Sequence, residues 1–458
     1  MLANLRKSIQ LLFLALSFFA CEKLVEVPPP SNQLDAATVF ASEATAQALM
    51  NNLYSRAMGL STDQLSPVVL GAYSADETEV YSTSSNQLQL AGNQLIPTNL
   101  YSTSLWSGSY TVIYLANVLI EGSEQAQTLS PAFRERIKGE ALFFRAMAQV
   151  YLSSFYGRVP IVLSSDYAIN TRLPQSDASA VLQQAITDLE QAAALLPADY
   201  AQSGGERIRL NTFAAKALLA RVQLYAGNYE QAISSTSDVL AQTSLYGLGS
   251  LADAFAKNGR EAIFQFRPNS LEFNTTEGNF FILTARPTNA AMRKSFFDGF
   301  EAGDGRRAQW TSKITVSGTD YYFPFKYKVK LSSTLSEHSS LLRTAELYLI
   351  RAEARARLDR PAEAIADLDI LRSRAGLTKI ATNNPTLSGQ PLLDAILMER
   401  RSELFFEGAH RWIDLQRFGK SQAVLSPLKS GWKATCLRFP LPATEIQLNN
   451  KLVQNPGY

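Results

Sequence analysis

Cysteine and histidine are scarce in this 458-residue sequence, and their scarcity narrows the chemistry open to it. The two cysteines are Cys21 and Cys436, and the two histidines are His338 and His410. If Cys21 carries a lipid, as argued below, no second thiol is left to form a disulfide with Cys436. Cys436 is therefore predicted to be a small buried apolar residue and not a nucleophile. Two isolated histidines without a His-Glu-x-x-His motif argue against a zinc site, and no metal or cofactor is predicted.

An excess of one charge is also absent. The chain has 43 Lys and Arg residues against 41 Asp and Glu residues, and two of the basic residues, Arg6 and Lys7, lie in the N-terminal segment discussed next. Nucleic-acid binding requires a basic surface, so this nearly neutral chain is not expected to bind nucleic acid. A neutral surface fits an uncharged ligand better than a polyanion. The Gly-x-Ser-x-Gly and Walker motifs of common hydrolases are missing as well.

No hydrophobic run is long enough to span a bilayer as a helix, which takes about 20 residues. The apolar run at residues 9–20 follows Arg6 and Lys7, and a small residue stands directly before Cys21. This order is typical of an export signal that ends at a lipid-attachment cysteine. We therefore predict that residues 1–20 are removed and that Cys21 is lipidated. The alternative is a plain secretory signal followed by a chance cysteine.

Helical periodicity dominates the rest of the chain. The predicted helices cover residues 44–58, 133–155, 178–196, 212–226, 229–240, 341–358, 361–374 and 391–407. An internal repeat relates residues 219–233 to residues 351–365, since each copy reads as a helix, a tight turn and a second helix with alanine at the close approach. Such a hairpin is typical of tetratricopeptide repeats. The fold class is predicted to be mainly all-α, a tetratricopeptide-like scaffold with an irregular, loop-rich insertion that contains short strands.

Composition divides the chain into successive parts. In order, these are a signal peptide (1–20), a lipidated flexible tether (21–34), an N-terminal helical region (35–244), a loop-rich insertion (245–340) and a C-terminal helical region with its tail (341–458). Residues 61–99 are rich in Ser, Thr, Asn and Gln and are predicted to be an irregular, functional loop region. Within the insertion, residues 262–266 and 321–330 have the pattern of strands.

Three glutamates, Glu399, Glu403 and Glu407, share one helix face at intervals of four residues. Paired carboxylates carry out general acid and base catalysis in glycoside hydrolases. Interleaved Arg400 and Arg411 favour a different interpretation, a set of ion pairs that fixes the helix against its neighbours. We therefore expect a structural role for these residues.

Motifs spread over nearly the whole chain resemble those of one known family, the SusD/RagB-like outer-membrane nutrient-binding lipoproteins of Bacteroidetes. The similar segments are residues 21–29, 106–117, 140–146, 155–160, 261–264, 303–307, 342–354, 399–408 and 454–458. They occur in the family's order. The resemblance implies a surface-exposed lipoprotein of the outer membrane, attached to it by the lipid alone. It also implies non-catalytic capture of a glycan or a peptide and a SusC-like TonB-dependent transporter as partner.

These family motifs belong to the scaffold and carry over no ligand residue. In the family the ligand face lies in variable loops, which here correspond to residues 61–99 and 245–340. Aromatic rings in loops stack on the apolar faces of sugars, and polar side chains between them bind hydroxyl groups. Residue type and predicted loop location select five candidates, Asp76, Tyr81, Asn86, Trp310 and Tyr322.

Two alternative functions remain open from the sequence. An exported glycoside hydrolase would use Glu403 or Glu407 and would release products. A tetratricopeptide scaffold would bind only protein, through a concave groove.

Overall fold

The computed structural model describes residues 36–62, 65–268 and 274–458 of the chain. The predicted signal peptide, Cys21 and the tether at residues 21–34 lie outside the described residues. Within them, no helix is both long enough and apolar enough to cross a membrane.

Helices make up most of the described chain. Its first half contains α1 (Ala36–Val39), α2 (Glu43–Thr62), α3 (Pro67–Ser74), α4 (Ser85–Ala91), α5 (Leu100–Gln125), α6 (Pro131–Tyr156), α7 (Tyr167–Asn170), α8 (Ala178–Leu195), α9 (Thr212–Ala226) and α10 (Tyr229–Leu240). The second half contains α11 (Thr276–Phe281), α12 (Lys294–Asp298), α13 (Gly305–Trp310), α14 (Thr344–Arg357), α15 (Pro361–Arg374), α16 (Ile380–Asn383), α17 (Gly389–Leu404), α18 (His410–Arg417), α19 (Ser421–Leu425) and α20 (Ala443–Leu448). Single 3₁₀ turns occur at Ala201–Ser203 and Ala434–Leu437.

Within the described residues, the strands form two small antiparallel sheets. They are β1 (Thr78–Val80), β2 (Ala262–Phe266), β3 (Ala290–Met292), β4 (Thr311–Val316), β5 (Thr319–Pro324) and β6 (Ser339–Arg343). One sheet has four strands in the order β1-β3-β5-β4, and the other pairs β2 with β6. The mainly helical fold class with short strands in the insertion is confirmed.

Local signals explain why the bounds of three predicted helices agree with the structure. At the start of α9, the Asn211 side chain accepts a hydrogen bond from the Ala214 amide at 2.8 Å, as a helix N-cap does. Gly227 ends α9 at a φ of 82°, a left-handed conformation that glycine adopts without strain. Helix α15 begins with Pro361. Proline lacks a backbone N–H, and this costs nothing here because the N–H groups of the first helical turn have no partner within the helix. The predicted bounds of α9, α10 and α15 are confirmed.

Buried arginine–carboxylate pairs join the stacked helices. Arg145 on α6 donates two hydrogen bonds to Asp188 on α8, at 2.8 and 2.7 Å. Arg221 on α9 donates two to Glu346 on α14, both at 2.6 Å. The second pair connects the two copies of the sequence repeat, because α9 and α10 form one copy and α14 and α15 the other. Bidentate geometry fixes the orientation of the partners as well as their distance.

The loop-rich insertion leaves the helical body and returns to it at one place. Strand β2 lies near its beginning, and β6, at its end, pairs with β2 so that Phe266 faces Ser339. All five residues of β2 are buried, and Phe264 and Phe266 contact the ring of Phe144 on α6. The paired strands therefore anchor the insertion on the helical core.

The prediction of an irregular region at residues 61–99 is wrong in part. Residues of α3 form a regular helix that is buried on every side. Gly71 lies so close to α18 that an added Cβ would stand 2.6 Å from the Cα of Ala409. Such a helix has no polar face, so its sequence lacks the amphipathic pattern on which helix prediction relies. The predicted strand at residues 321–330 lies instead at β5, and the helix predicted from residue 341 begins at Thr344, because β6 takes the preceding residues.

Candidate ligand-binding face

The four-stranded sheet brings together the two regions that the sequence suggests for ligand binding. Strand β1, from residues 61–99, pairs with β3 of the insertion so that Thr78 faces Met292. The pairing continues beyond the strand, where the Tyr81 amide donates to the Asn289 carbonyl at 2.8 Å. Neither region could complete this sheet alone. We call the solvent-facing surface of the sheet and of the adjoining α12 the sheet face.

Tyr322, one of the predicted residues, lies on the sheet face with an aromatic partner. Its half-buried ring stacks on Phe297 of α12, with centroids 4.2 Å apart and ring planes at 28°. The Arg307 guanidinium lies 4.3 Å from the centroid of Phe297. The stack holds the Tyr322 ring in one orientation, which lowers the entropy that a ligand contact would cost.

Charged pairs surround this stack. Lys313 contacts Asp320 at 2.6 Å on the strands beside Tyr322, and Lys294 contacts Asp298 at 2.5 Å on α12. Hydrogen bonding to Lys313 lowers the pKa of the Asp320 carboxyl. The Lys294–Asp298 pair is exposed, and the Lys313–Asp320 pair is partly exposed, with Thr315 also donating to the Asp320 carboxylate at 2.6 Å. Part of each pair is therefore accessible to the hydroxyl groups of a ligand. A rigid ring beside such groups is the arrangement that a sugar-binding surface requires.

Tyr81 and Asn86 lie in the same part of the fold but not on the same surface as Tyr322. The Tyr81 ring contacts Tyr321 edge to face at 5.4 Å, and successive residues of a strand point to opposite faces of the sheet. Burial, together with the negative charge of Glu79, raises the pKa of Tyr81. The Asn86 side-chain oxygen accepts a hydrogen bond from the Leu100 amide at 3.0 Å and so fixes the start of α5. The structure therefore does not gather the predicted residues into one site.

The other two candidates are corrected, because their side chains are inside the protein. Asp76 is only 8% exposed and accepts two hydrogen bonds from Arg411, at 2.7 and 2.9 Å. Burial alone would raise the pKa of Asp76, but the Arg411 charge outweighs it and lowers the pKa. Trp310 is fully buried, donates its indole N–H to the Leu251 carbonyl at 2.7 Å and leaves no ring face for a ligand.

The glutamates of α17 and the turn after it lie in a buried ion-pair cluster. Glu403 is fully buried and contacts Arg306 at 3.1 Å, Arg343 at 2.9 Å and Arg374 at 2.5 Å. Burial would raise the pKa of Glu403, yet the three guanidinium charges together hold it far below its usual range. We call these three arginines and the glutamates they bind the glutamate cluster. Its central carboxylate is ionised and enclosed, so it has no open side for a substrate.

The flanking glutamates are engaged in the same way. Glu399 contacts Arg306 at 2.6 Å, and burial raises the pKa of this carboxyl. Glu407 contacts Arg343 at 2.7 Å and also the amine of Lys326. Burial lowers the pKa of Lys326 to about 8. The contacts agree with the structural interpretation and remove the support for a hydrolase that uses Glu403 or Glu407.

A second concave surface, which the sequence did not indicate, lies on the helical body. It has a volume of about 240 Å³ and is lined by residues of α5, α7, α20 and the segments after α6 and α20. Tyr110 and Tyr114 of α5 and Tyr167 of α7 contribute aromatic rings. The one sequence feature that pointed to this surface is the spacing of Tyr110 and Tyr114, which lie four residues, or one helical turn, apart. The partners on α20 are more than 270 residues away in sequence and could not be associated with it. We call this surface the tyrosine cleft.

Metal-binding chemistry finds no support in the part of the chain that the structure describes. There, no group of three or more His, Cys, Asp or Glu side chains is arranged to hold an ion. Cys436 is a free, buried thiol, as the sequence predicts.

Comparison with known proteins relates both halves of the chain to one family. Residues 297–435 match the family described as SusD, and residues 25–224 match the family described as "Starch-binding associating with outer membrane". The curated SusD-like protein P25 of Formosa agariphila is 24% identical over 97% of this chain and 98% of its own length. A SusD-like protein of Bacteroides ovatus is 28% identical over 53% of this chain and 45% of its own length.

Solved structures show the same fold over most of the chain. A structure titled "Laminarin binding SusD-like protein" is 25% identical, with a TM-score of 0.76, covering 91% of this chain and 99% of the other. The surface glycan-binding protein A of Bacteroides uniformis has a TM-score of 0.76 at 20% identity, covering 90% and 99% of the two chains. With motifs, both family matches and the fold in agreement, this chain belongs to the SusD/RagB-like family.

Proposed function

We propose that this protein is a cell-surface lipoprotein that captures a nutrient glycan without catalysis and passes it to a SusC-like TonB-dependent transporter. The observation that carries the proposal is the similarity to the laminarin-binding SusD-like protein, which extends over nine-tenths of the chain. The description of the family matched by residues 25–224 supports a glycan ligand and an outer-membrane location. A peptide ligand remains the alternative within the same function.

The sheet face is the proposed ligand surface. Tyr322 offers a ring held by Phe297, and the pair of Lys313 and Asp320 offers a hydrogen-bond donor and acceptor beside it. A sugar stacked on an aromatic ring gains roughly 1–3 kcal/mol if the stacking of nucleic-acid bases is a guide. Of the five residues selected from the sequence, Tyr322 is the one proposed to contact the ligand directly, because Tyr81 packs on Tyr321 at the opposite surface of the sheet.

We propose that the protein is not a catalyst because the candidate glutamates are enclosed by basic side chains. Glycoside hydrolases need two carboxyl groups that face the scissile bond from an open cleft. The glutamates that the sequence offered for this role are enclosed by arginine and lysine. They are proposed to hold α17 against the insertion and to take no part in ligand chemistry.

Attachment and transfer complete the proposal. Cys21 is proposed to carry the lipid, with residues 21–34 as the tether, residues 35–244 and 341–458 as the helical body and residues 245–340 as the ligand-bearing insertion. Co-purification of the lipidated protein with a large TonB-dependent barrel from outer membranes would support the transfer step. Recovery of the lipoprotein alone after mild cross-linking would contradict it.

Calorimetry with the chain from Glu22 onward, which retains every described residue, tests ligand capture. We expect saturable binding of a neutral glucan such as laminarin, and about a tenfold loss of affinity in Tyr322→Ala, equivalent to about 1.4 kcal/mol. Met398→Ala is the matched control, because Met398 is exposed at 48% and belongs to α17, outside the sheet face. Equal affinity of the wild type and Tyr322→Ala would show that the sheet face is not the ligand surface.

A further inference from the structure

We propose that the tyrosine cleft is a second carbohydrate site, which binds a short stretch of a neutral glycan independently of the sheet face. The expectation that the ligand is a glycan rests on the proposed function, whereas the choice of residues rests on the cleft itself. The cleft lies between α5, α7 and α20 and has room for a small ligand at about 240 Å³.

Exposed aromatic rings are the first observation. Tyr167 is 75% exposed and Tyr114 is 43% exposed, and among the described residues no other aromatic ring stacks on either. Tyr110, between them and the core, contacts Trp106 at 5.0 Å and donates its hydroxyl hydrogen to the Pro160 carbonyl at 3.0 Å. The inner ring is thus fixed while the outer two rings offer free faces. Large exposed aromatic side chains gathered at a concavity indicate a binding surface.

Unused hydrogen-bonding groups are the second observation. The Asn170 side-chain nitrogen donates to the Ser164 carbonyl at 2.7 Å, but its buried oxygen has no hydrogen-bond partner among the residues that the structure describes. A buried acceptor without a partner is unfavourable unless a ligand or water supplies a donor. Asn170 lines the cleft, so a sugar hydroxyl bound there would supply that donor once the side chain turns its oxygen toward the opening.

Glu445 on α20 is a second acceptor in the cleft. No salt bridge or side-chain hydrogen bond engages its carboxylate among the described residues, although it is half-buried. The charge of Glu445 acts on the inner ring of the cleft. Burial is the main cause of the raised pKa of Tyr110, and the negative charge of Glu445 raises it further. An ionised carboxylate accepts hydrogen bonds from hydroxyl groups, so Glu445 can bind the hydroxyls of a sugar.

Charge selects between classes of glycan. Apart from tyrosine hydroxyls, Glu445 is the one ionisable side chain in the described lining of the cleft, and no lysine or arginine lines it. A uronic-acid or sulfated chain would bring like charges toward this carboxylate without a cation to offset them. A neutral chain meets only ring faces and acceptors. The cleft therefore fits a neutral glycan and disfavours an acidic one.

The tyrosine cleft is separate from the candidates near β1. Asn86 contacts α5 at its first residue, Leu100, and Tyr114 follows 14 residues later. At 1.5 Å per residue, this separation along the helix is about 21 Å. Asn86 and the start of α5 therefore lie outside the cleft. The lining of the cleft also shares no residue with the Tyr322, Phe297, Lys313 and Asp320 group of the sheet face, so the two surfaces can be altered separately.

Calorimetric titration of the chain from Glu22 onward with laminarihexaose tests the proposal. We expect two bound oligosaccharides per wild-type chain and one in Tyr114→Ala/Tyr167→Ala, with the remaining affinity unchanged. Tyr322→Ala should weaken the other site, on the sheet face, about tenfold and leave the affinity of the cleft unchanged. Leu331→Ala is the control, because Leu331 is a 63% exposed apolar residue outside both surfaces, and it should bind two. Tyr167 is so exposed that its loss should not affect folding.

A charge variant gives a second readout. Glu445→Gln keeps the shape of the side chain, and we expect its preference for laminarihexaose over oligogalacturonate to fall at least fivefold, because the repulsion of the acidic chain is lost. An unchanged preference would overturn the assignment of Glu445.

Three results would overturn the cleft proposal. One oligosaccharide per wild-type chain, lost in Tyr322→Ala and unaffected by the tyrosine pair, would leave the proposed function standing without the cleft. Loss of a transporter partner in the tyrosine-pair variant, with glycan binding intact, would show that the cleft binds protein. No binding of laminarihexaose or dextran oligosaccharides by the wild type would overturn both sites. Conversely, one site that is lost only in the tyrosine-pair variant would support the cleft and refute the sheet face.

Discussion

The Glu403→Gln substitution removes one negative charge from among three buried guanidinium groups. In the wild type Glu403 accepts hydrogen bonds from Arg306, Arg343 and Arg374, at 3.1, 2.9 and 2.5 Å. Glutamine retains a single carbonyl oxygen and places an amide donor against an arginine. Removing one partner from a buried ion pair costs about 3–5 kcal/mol, because the remaining charges are left without compensation. We expect the free energy of unfolding to fall by that amount.

Urea unfolding at pH 7 measures this loss, and Glu301→Gln is its matched control. Glu301 contacts Arg372 at 2.9 Å, but its side chain is 52% exposed. An ion pair with one partner in solvent contributes about 0–1 kcal/mol, and Arg372 keeps Glu399 as a second partner at 3.4 Å. The same chemical change should therefore have little effect there. Nearly equal losses in the two variants would refute the conclusion that the glutamate cluster stabilises the fold.

The pH dependence of the Glu403 variant follows from the lowered pKa of Glu403. A carboxyl whose folded pKa is depressed stabilises the fold above its unfolded pKa, near about 4.3, and this contribution is lost as the pH falls. The stability difference between the wild type and Glu403→Gln should therefore be largest at neutral pH and should narrow below about pH 4. A difference that grows on acidification would contradict the assignment.

Three further substitutions have definite expected outcomes. Gly71→Ala should lower the free energy of unfolding by roughly 1–3 kcal/mol, since its Cβ would meet Ala409 at 2.6 Å; thermal unfolding would measure it, and a stabilised variant would contradict the close approach. Asp76→Ala should cost about 3–5 kcal/mol in a urea titration, because Arg411 would remain buried without its carboxylate, and a loss below 1 kcal/mol would contradict a structural role. Burial raises the pKa of Glu277 to about 7, so its stabilising contribution is complete below about pH 4.3 and is lost as the pH rises through 7. Between pH 5 and pH 8 the free energy of unfolding should therefore fall less in Glu277→Gln than in the wild type. Urea unfolding at several pH values would measure this, and an equal fall in the two proteins would refute it.

The helical scaffold was predictable because its signals are local. The N-cap at Asn211, the left-handed Gly227 and the first-turn Pro361 each act within one turn of their own helix. Helix α3 escaped prediction because all of its faces are buried, which removes the amphipathic pattern. A local pattern thus fixes the bounds of helices with a polar face but not those of a helix buried on every side.

The candidate sites depend on contacts between residues that are distant in sequence. The exposure of their side chains could therefore not be predicted from the sequence. Trp310 has the residue type and loop neighbourhood of a sugar-binding ring, but it is buried by Leu251 and Phe255, about 60 residues away. Nothing in the local sequence distinguishes it from Tyr322, which remains on the surface. The sheet that joins residues 61–99 to the insertion arises from the pairing of β1 with β3, over 200 positions apart. Exposure and proximity are properties of the tertiary fold and have no local signature.

Titration of the chain from Glu22 onward with laminarin, followed by analysis of the mixture for released oligosaccharides, tests the central claim most directly. Capture without catalysis predicts saturable binding and an intact polysaccharide after prolonged incubation. Release of shorter oligosaccharides would contradict it and would show that the protein is an enzyme. Absence of binding to laminarin and to every other neutral glucan would contradict the glycan assignment itself.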